Sequence, residues 1–446
     1  MGEMNPMKAA VQGNNALLPQ RGYETISSKI SRPAGWLKFE QGWLTPYQTL
    51  QNLETATSLL QQLSQGLTGI SESMNEAIVV LHSAWNRNDR PGRPPQEVDQ
   101  GLSQHLAKID ELVRETRFHG RGLLDGQSGV VGIGKGVDFI RGGPNTATSP
   151  PEGYEVRITA LPTRASLSGG VPIHENWLRE EAEIFLAEGD RFVRFVPNGE
   201  TTISEFLEDF QRAITLAGLD LEVGLTRQRR LVVRHSQYGS HFKFKGCSRV
   251  TPLLANRPGR VEWSHKGKDI QGTLGGEAAF GVGRMLVGFL DNANTSELAV
   301  VWRGEPLPAG NIARCHVIQN GLELQVGNGA ERNRKKISLP SFYQKAMGGW
   351  LETNSGFRSL SELRARTWQE AFDAMQVLFA VSCEVDEWRD KTSNWIKQYQ
   401  NLALEILRNE AVVTPDEGEL ETSGNQNAAQ MAAVMRTVLD RKPVLV

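Results

Sequence analysis

The chain of 446 residues has few cysteines, no long apolar run and almost no net charge. Its three cysteines, Cys247, Cys315 and Cys383, lie far apart. They form no Cys-x-x-Cys pair and no Cys/His spacing suited to zinc, and an odd count argues against a disulfide framework. Cys315 alternates with Ala313 and Val317, as a small buried residue in a strand does. Cys383 falls off the apolar stripe of its segment. No apolar run reaches the roughly 18 residues that span a bilayer, so no membrane partner is expected. A formal charge of −2 points to no global attraction for nucleic acid. The opening stretch lacks a basic segment followed by an apolar core, so it does not read as a cleavable secretory signal. His-Glu-x-x-His is absent. Gly-Ile-Gly-Lys-Gly (132–136) lacks the spacing and trailing Ser or Thr of a phosphate loop and reads as a turn. His235 and His241 flank Ser-Gln-Tyr-Gly-Ser and read as structural. Neither catalysis, a cofactor nor a metal is expected.

What is present is long helical periodicity at both ends. Small or apolar residues fall at Leu53, Ala56, Leu60, Leu63, Leu67, Ile70, Met74, Ala77, Leu81 and Ala84. The unbroken 3-4 steps predict a coiled-coil seam. Val79 and Val80, beside Ile78, widen that face. A Pro/Gly break follows in "WNRNDRPGRPP", and a second helix is predicted over 97–116, with Leu102, Leu106, Ile109, Val113 and Thr116 on one face. A matching stripe runs from Leu360 and Leu363 through Thr367, Ala371, Ala374, Leu378, Val381, Val385, Trp388, Thr392, Trp395, Tyr399 and Leu402 to Ile406. Packing of the two ends against each other predicts an elongated bundle, with Leu60, Leu63, Leu67, Ile70, Met74, Leu81, Leu378, Val381, Val385 and Leu402 as its core seam and candidate assembly interface.

The middle is rich in Gly, Pro and period-2 alternation. "YEVRITA" (154–160) and "SHFKFKG" (240–246) read as half-buried strands. Within it, 183–248 reads as a ββαββ unit. Two strands turn at Glu-Gly-Asp, a helix starts on a Thr202/Glu205 capping box and stops at Gly218, and two strands follow. The fold class expected is α+β: an elongated helical coiled-coil bundle from both chain ends, with an inserted, mostly β outer domain. The segments are 1–52 (a degenerate helix), 53–126 (N-terminal helical core), 127–330 (β-rich insert), 331–411 (C-terminal helical core) and 412–446 (linker and terminal helix). Ala428, Ala432, Met435 and Leu439 share one face in the last of these.

Residues 227–268 carry eleven Lys/Arg against a single acid, Glu262. Tyr238, Phe242, Phe244 and Trp263 interleave with them. Basic strands with aromatics suit a polyanion, which makes Arg229, Arg230, Arg234, Lys243 and Lys245 candidate binding residues. The alternative is a solvated face balanced by acids elsewhere.

Several stretches resemble the bacterial flagellin family. "LETATSLLQQLSQGLTGISESMNEAIVVLHSAWN" (53–86) is similar to the family's first long core helix. "LAKIDELVRETRFHGRGLLDG" (106–126) is similar to its second helix, its Phe-Asn-Gly turn and its Leu-Leu-Asp-Gly corner, with His119 here in place of the asparagine. "VIQNGLELQVGNG" (317–329) resembles the strand entry to the returning half. The segment from Gly356 resembles the C-terminal core helix, and "AAQMAAVMRTVLDRKPVLV" the terminal one. The 183–248 unit resembles a module inserted in flagellins and hook-associated proteins. Residues 23–48 keep only the outline of the family's N-terminal helix, which Pro33 and Pro46 interrupt. The resemblance implies a structural subunit of an extracellular bacterial filament that supports motility. Its partners would be other copies or other flagellin subunits, the flagellar export apparatus and a flagellin chaperone; nucleic acid is not expected. A hook-filament junction or cap-type protein, and a surface module binding polyanions, are the alternatives.

Overall fold

The computed structural model describes residues 45–86, 93–178, 182–198, 201–249, 251–304, 312–326 and 334–412. The expectations for the N-terminal helix before residue 45 and for the terminal helix after 412 lie outside the described residues.

Helix α1 (Pro46–Trp85) begins about two turns before the apolar stripe at Leu53. Thr45 and Gln48 form a capping box, and Pro46 occupies the first helical position. Sequence reading placed Pro46 as an interruption. At that position its missing N–H removes no helical bond, and its fixed φ suits a helix start. Helix α2 (Gln96–Glu115) returns antiparallel: Ser73 Oγ donates to the His105 carbonyl at 2.9 Å, and Gly101 faces Val80. At Gly66 an added Cβ would sit 2.3 Å from Thr116 Oγ1, so glycine there sets how closely the two helices approach.

The returning helix, α3 (Trp368–Val412), starts later than the stripe predicted. Thr367 and Glu370 cap one another: Glu370 N donates to Thr367 Oγ1 at 3.1 Å, and Thr367 N donates to Glu370 Oε2 at 3.2 Å. Leu360 and Leu363 instead belong to a 3-10 turn (Leu360–Glu362) and its exit. They reach the same core from outside the long helix. Helix α3 runs antiparallel to α1. Ser71 Oγ donates to Asp386 Oδ1 at 2.9 Å, and Trp85 packs on Trp368 and Phe372, with ring centroids 5.8 and 5.5 Å away. One cluster of buried apolar residues runs through all three helices and the 339–365 segment. The two distant stretches of chain therefore form a single rod. At 1.5 Å per residue, α1 alone is about 60 Å long.

Between them the chain turns through β1 (Arg117–Phe118) and β2 (Arg121–Gly122). His119 and Gly120 both have positive φ, 48° and 80°, the signature of a type I′ hairpin turn. The Leu123-Leu124-Asp125-Gly126 corner then buries both leucines. It is clamped by the returning chain, where Phe342 N donates to the Leu124 carbonyl at 2.8 Å.

Beyond the corner lie two β bodies. The first contains β3 (Val130–Lys135), β4 (Asp138–Arg141), β5 (Tyr154–Ala160), β13 (Gln271–Leu274), β14 (Glu277–Val282), β15 (Met285–Gly288), β16 (Ala299–Val301) and β17 (Ile312–Gln319). Their order is β3-β17-β5-β13-β14-β15-β16-β4, all antiparallel. The two edges are consecutive strands, and Phe139 of β4 lies against Gly132 of β3, so the sheet curls until its edges meet. Gly-Ile-Gly-Lys-Gly forms the end of β3 and the turn toward β4, where Gly136 has φ 81°. Cys315 is buried inside, and burial pushes its thiol up to about 12.

The second body contains β6 (Arg164–Pro172), β7 (Ile184–Glu188), β8 (Arg191–Phe195), helix α4 (Ile203–Leu216), β9 (Leu221–Leu225), β10 (Arg230–Tyr238), β11 (Lys245–Ser248) and β12 (Glu262–Trp263). The ββαββ order and the Thr202/Glu205 capping box are as read from the sequence. The pairing is not local, however. β9 and β10 join β6, while β7 and β8 join β11 and β12. Residues 264–268 close the gap between the two sheets, since His265 bridges Ser166 and Lys268 bridges Thr163. The result is one curved sheet wrapped round α4, whose Phe206, Phe210 and Ile214 fill its concave side. "SHFKFKG" is a strand only from Lys245. Before it, Ser240 N is held by Asp269 Oδ1 at 3.2 Å and Phe242 stacks on His235 at 4.4 Å, which draws that stretch off the sheet. A short hairpin, β18 (Leu322–Gln325) with β19 (Arg334–Ile337), leads back to the rod.

Candidate assembly and binding surfaces

The residues predicted as an assembly seam are spent within the chain. Leu60, Leu63, Leu67, Ile70, Met74, Leu81, Leu378, Val381 and Val385 are at most 1% exposed, and Leu402 packs against the same core. Such side chains hold the rod together and have no surface left for a neighbour. Outward-facing apolar residues were read less clearly. Val79 on α1 is 61% exposed and Phe379 on α3 is 66% exposed. The antiparallel pairing places them at about the same level along the rod. Val80, by contrast, packs on α2 at Gly101.

The second β body is seated on the Trp85 end of the rod. Thr215 donates to Gln369 of α3, and Gly218 faces Phe372. Behind this contact lies a group of buried polar residues. Glu188 and His235 are hydrogen-bonded at 2.6 Å, and Ser236 donates to Asp220. Asp373 of α3 accepts from Ser355 N at 2.6 Å and from Gln369 Nε2 at 2.9 Å. Burial, aided by the nearby Asp220 charge, pushes the Asp373 carboxyl up to about 6. Burial also raises Asp220. Glu188 is buried as well, yet its hydrogen bond and charge pairing with His235 hold it below the usual carboxylate range. Glu352 adds a second tie between the bodies through Arg284 and Gln237.

The five basic candidates lie on the convex side of the curved sheet or at its rim. Arg229 is in the β9–β10 turn with φ 58°. Arg234 pairs across β10 with Glu222 and Ser166. Lys243 and Lys245 flank Trp263, with Nζ atoms 5.1 and 5.9 Å from its ring. Of the interleaved aromatics, Phe244 is fully buried. Phe242 stacks on His235, and Tyr238 lies between Arg164 and Arg284 at 4.8 and 4.9 Å. Trp263 alone of the four is open, at 60% exposure. Sequence reading missed Phe185 and Phe192, which reach the same face from β7 and β8. Their alternation with Ile184, Leu186 and Val193 was the signal available. Where the rod meets the first β body there is also an open groove of about 920 Å³, lined in part by Asp125, Arg141, Arg303, Lys345, Arg358 and Glu362.

Among the described residues no group of three or more His, Cys, Asp or Glu is placed to hold a metal ion. No helix among them is long and apolar enough to cross a membrane.

No protein-family model and no curated protein matches the chain. Among solved structures it is similar to the D2–D3 domains of the flagellar cap protein of Serratia marcescens, at 12% identity over 41% of this chain and 98% of that one, with a TM-score of 0.28. It is also similar to the D1–D3 domains of the Escherichia coli cap protein, at 9% identity over 61% and 63%, TM-score 0.27. A third is FliC of Burkholderia pseudomallei, at 12% identity over 78% and 99%, TM-score 0.26. These values are too low to imply a shared fold, so the functional reading rests on the chain itself.

Proposed function

We propose that this chain is a flagellin-like structural subunit of a bacterial flagellar filament, exported to the cell exterior and supporting motility. The observation that carries this reading is the joining of two distant stretches of chain in one apolar rod with both β bodies inserted between them. This is the layout that the resemblance of 53–126 and 356–411 to flagellin core segments leads one to expect. A rod of this kind assembles by heterologous contacts that repeat along a helix without closing. Coiled-coil packing of the helices, other flagellin-type subunits as neighbours, and the export apparatus with a flagellin chaperone as transient partners belong to the same proposal. The role is mechanical, not catalytic. The test is polymerisation of the full-length protein, followed by sedimentation and negative-stain microscopy, alone and with filaments of the source organism. Tubes, or incorporation along pre-existing filaments, are expected. Protein that stays monomeric and never enters a filament overturns the reading, and labelling confined to one end of the filament replaces it with a junction or cap role.

A further inference from the structure

The convex face of the curved sheet carries a row of side chains that neither the rod nor the sheet core uses. Opposite one another in a single cross-strand row stand Trp263, Lys245, Ala187 and Phe192, on β12, β11, β7 and β8. At about 4.8 Å between strands, this row is about 14 Å long. Trp263 and Phe192 are 60% and 63% exposed. Phe185, beside Phe192 at a centroid distance of 6.1 Å, extends the aromatic end. Ala187, between Lys245 and Phe192, leaves a shallow floor. No ion pair among the described residues involves Lys243 or Lys245. Their only close partner there is the Trp263 ring. Of the neighbouring cations, Arg194 and Arg249 both pair with Glu183, and Glu222, which faces Arg234 across the strands, pairs with Arg164.

From this arrangement we infer that the face binds an acidic glycan, a sugar chain bearing carboxylate or sulfate groups. The charge is local, two free ammonium groups at one point, and uncharged ring surface continues beyond it. A single-stranded nucleic acid needs a cationic track that follows its backbone, and Glu183 and Glu222 interrupt any such track here. A sugar with one acidic group matches the local charge. Its apolar C–H face lies on the indole while its anion meets Lys243 and Lys245, and the next unit crosses Ala187 toward Phe192. Large, rigid aromatic surfaces beside fixed charges give both contact area and orientation.

The test uses the full chain as a monomer, so its outcome is independent of filament formation. Oligogalacturonate and chondroitin sulfate oligosaccharides are titrated against it by calorimetry, with a neutral maltooligosaccharide and an oligothymidylate of equal charge as comparators. Binding of an acidic oligosaccharide is expected, at least tenfold tighter than either comparator. The double variant K243Q/K245Q is expected to lose that preference by tenfold or more, W263A to lose binding, and R229Q/R230Q to bind normally. Lys243, Trp263 and Arg229 are exposed and Lys245 and Arg230 half-buried, and thermal melts check that each variant folds. The inference is overturned if neither acidic oligosaccharide binds, if the oligothymidylate binds as tightly, or if K243Q/K245Q binds as the parent does.

Discussion

At the level of single residues, backbone geometry and burial decide what each position tolerates. His119 holds a left-handed conformation that L-residues adopt at a cost of about 1–2 kcal/mol and that asparagine accepts more readily. His119→Asn is therefore expected to stabilise the protein by roughly 0.5 kcal/mol, and His119→Val to destabilise it by about 1–2 kcal/mol, read from thermal melts. Asp373 gives a pH signature. Its carboxyl titrates at about 6 in the folded protein against 3.8 for the free group, so the native state holds the proton more tightly. The stability contributed by this group is fully present below the unfolded value and is lost as pH rises through about 6. Asp220 acts in the same direction, while Glu188, held below its ordinary 4.5, contributes stability that is present above that value and is lost as pH falls through its depressed range. Stability is expected to fall between pH 4 and 6.5, and Asp373→Asn is expected to flatten that slope in a melting series. None of this was legible in the sequence. The positive φ of His119 follows from a two-residue hairpin, and the shift of Asp373 from a docking surface formed by residues about 150 positions apart.

At the level of elements, the helices were legible because their stripes repeat every three to four residues, and their starts were legible only where capping chemistry was read. The Thr202/Glu205 box was found and the α4 start is correct. Thr45/Gln48 and Thr367/Glu370 follow the same chemistry, and overlooking them misplaced two helix starts. Close approach of α1 to α2 rests on Gly66. Gly66→Ala would drive a methyl group into Thr116 and Leu124 and is expected to cost about 1–3 kcal/mol in chemical denaturation. Gly101→Ala is the contrast. There the nearest atom is a Val80 methyl carbon at 3.2 Å, and the gain in helix propensity, up to about 1 kcal/mol, offsets the crowding. Strand pairing was less legible. Alternation marks a strand but not its neighbour, so the ββαββ order was found while its division between β6 on one side and β11 on the other was not.

At the level of the whole molecule, assembly falls to residues the rod does not use. Val79→Asp with Phe379→Asp is expected to leave the melting temperature within a few degrees of the parent, because both side chains already face water. The same double variant is expected to abolish sedimentable polymer. Leu67→Ala, inside the rod, is expected to cost about 2–5 kcal/mol and to weaken polymer only as far as the fold is lost. Sequence alone determined the class of the molecule: helical ends, a β-rich middle, and two apolar stripes that must find partners. Those properties are written in local periodicity, which each segment carries by itself. Only the tertiary structure decided that the stripes cover each other, that Leu360 and Leu363 join them from a loop, and that Trp263, Lys245, Ala187 and Phe192 line up. The physical reason is that burial and cross-strand register are settled between segments, by which surfaces exclude water together, and a linear pattern does not contain that choice.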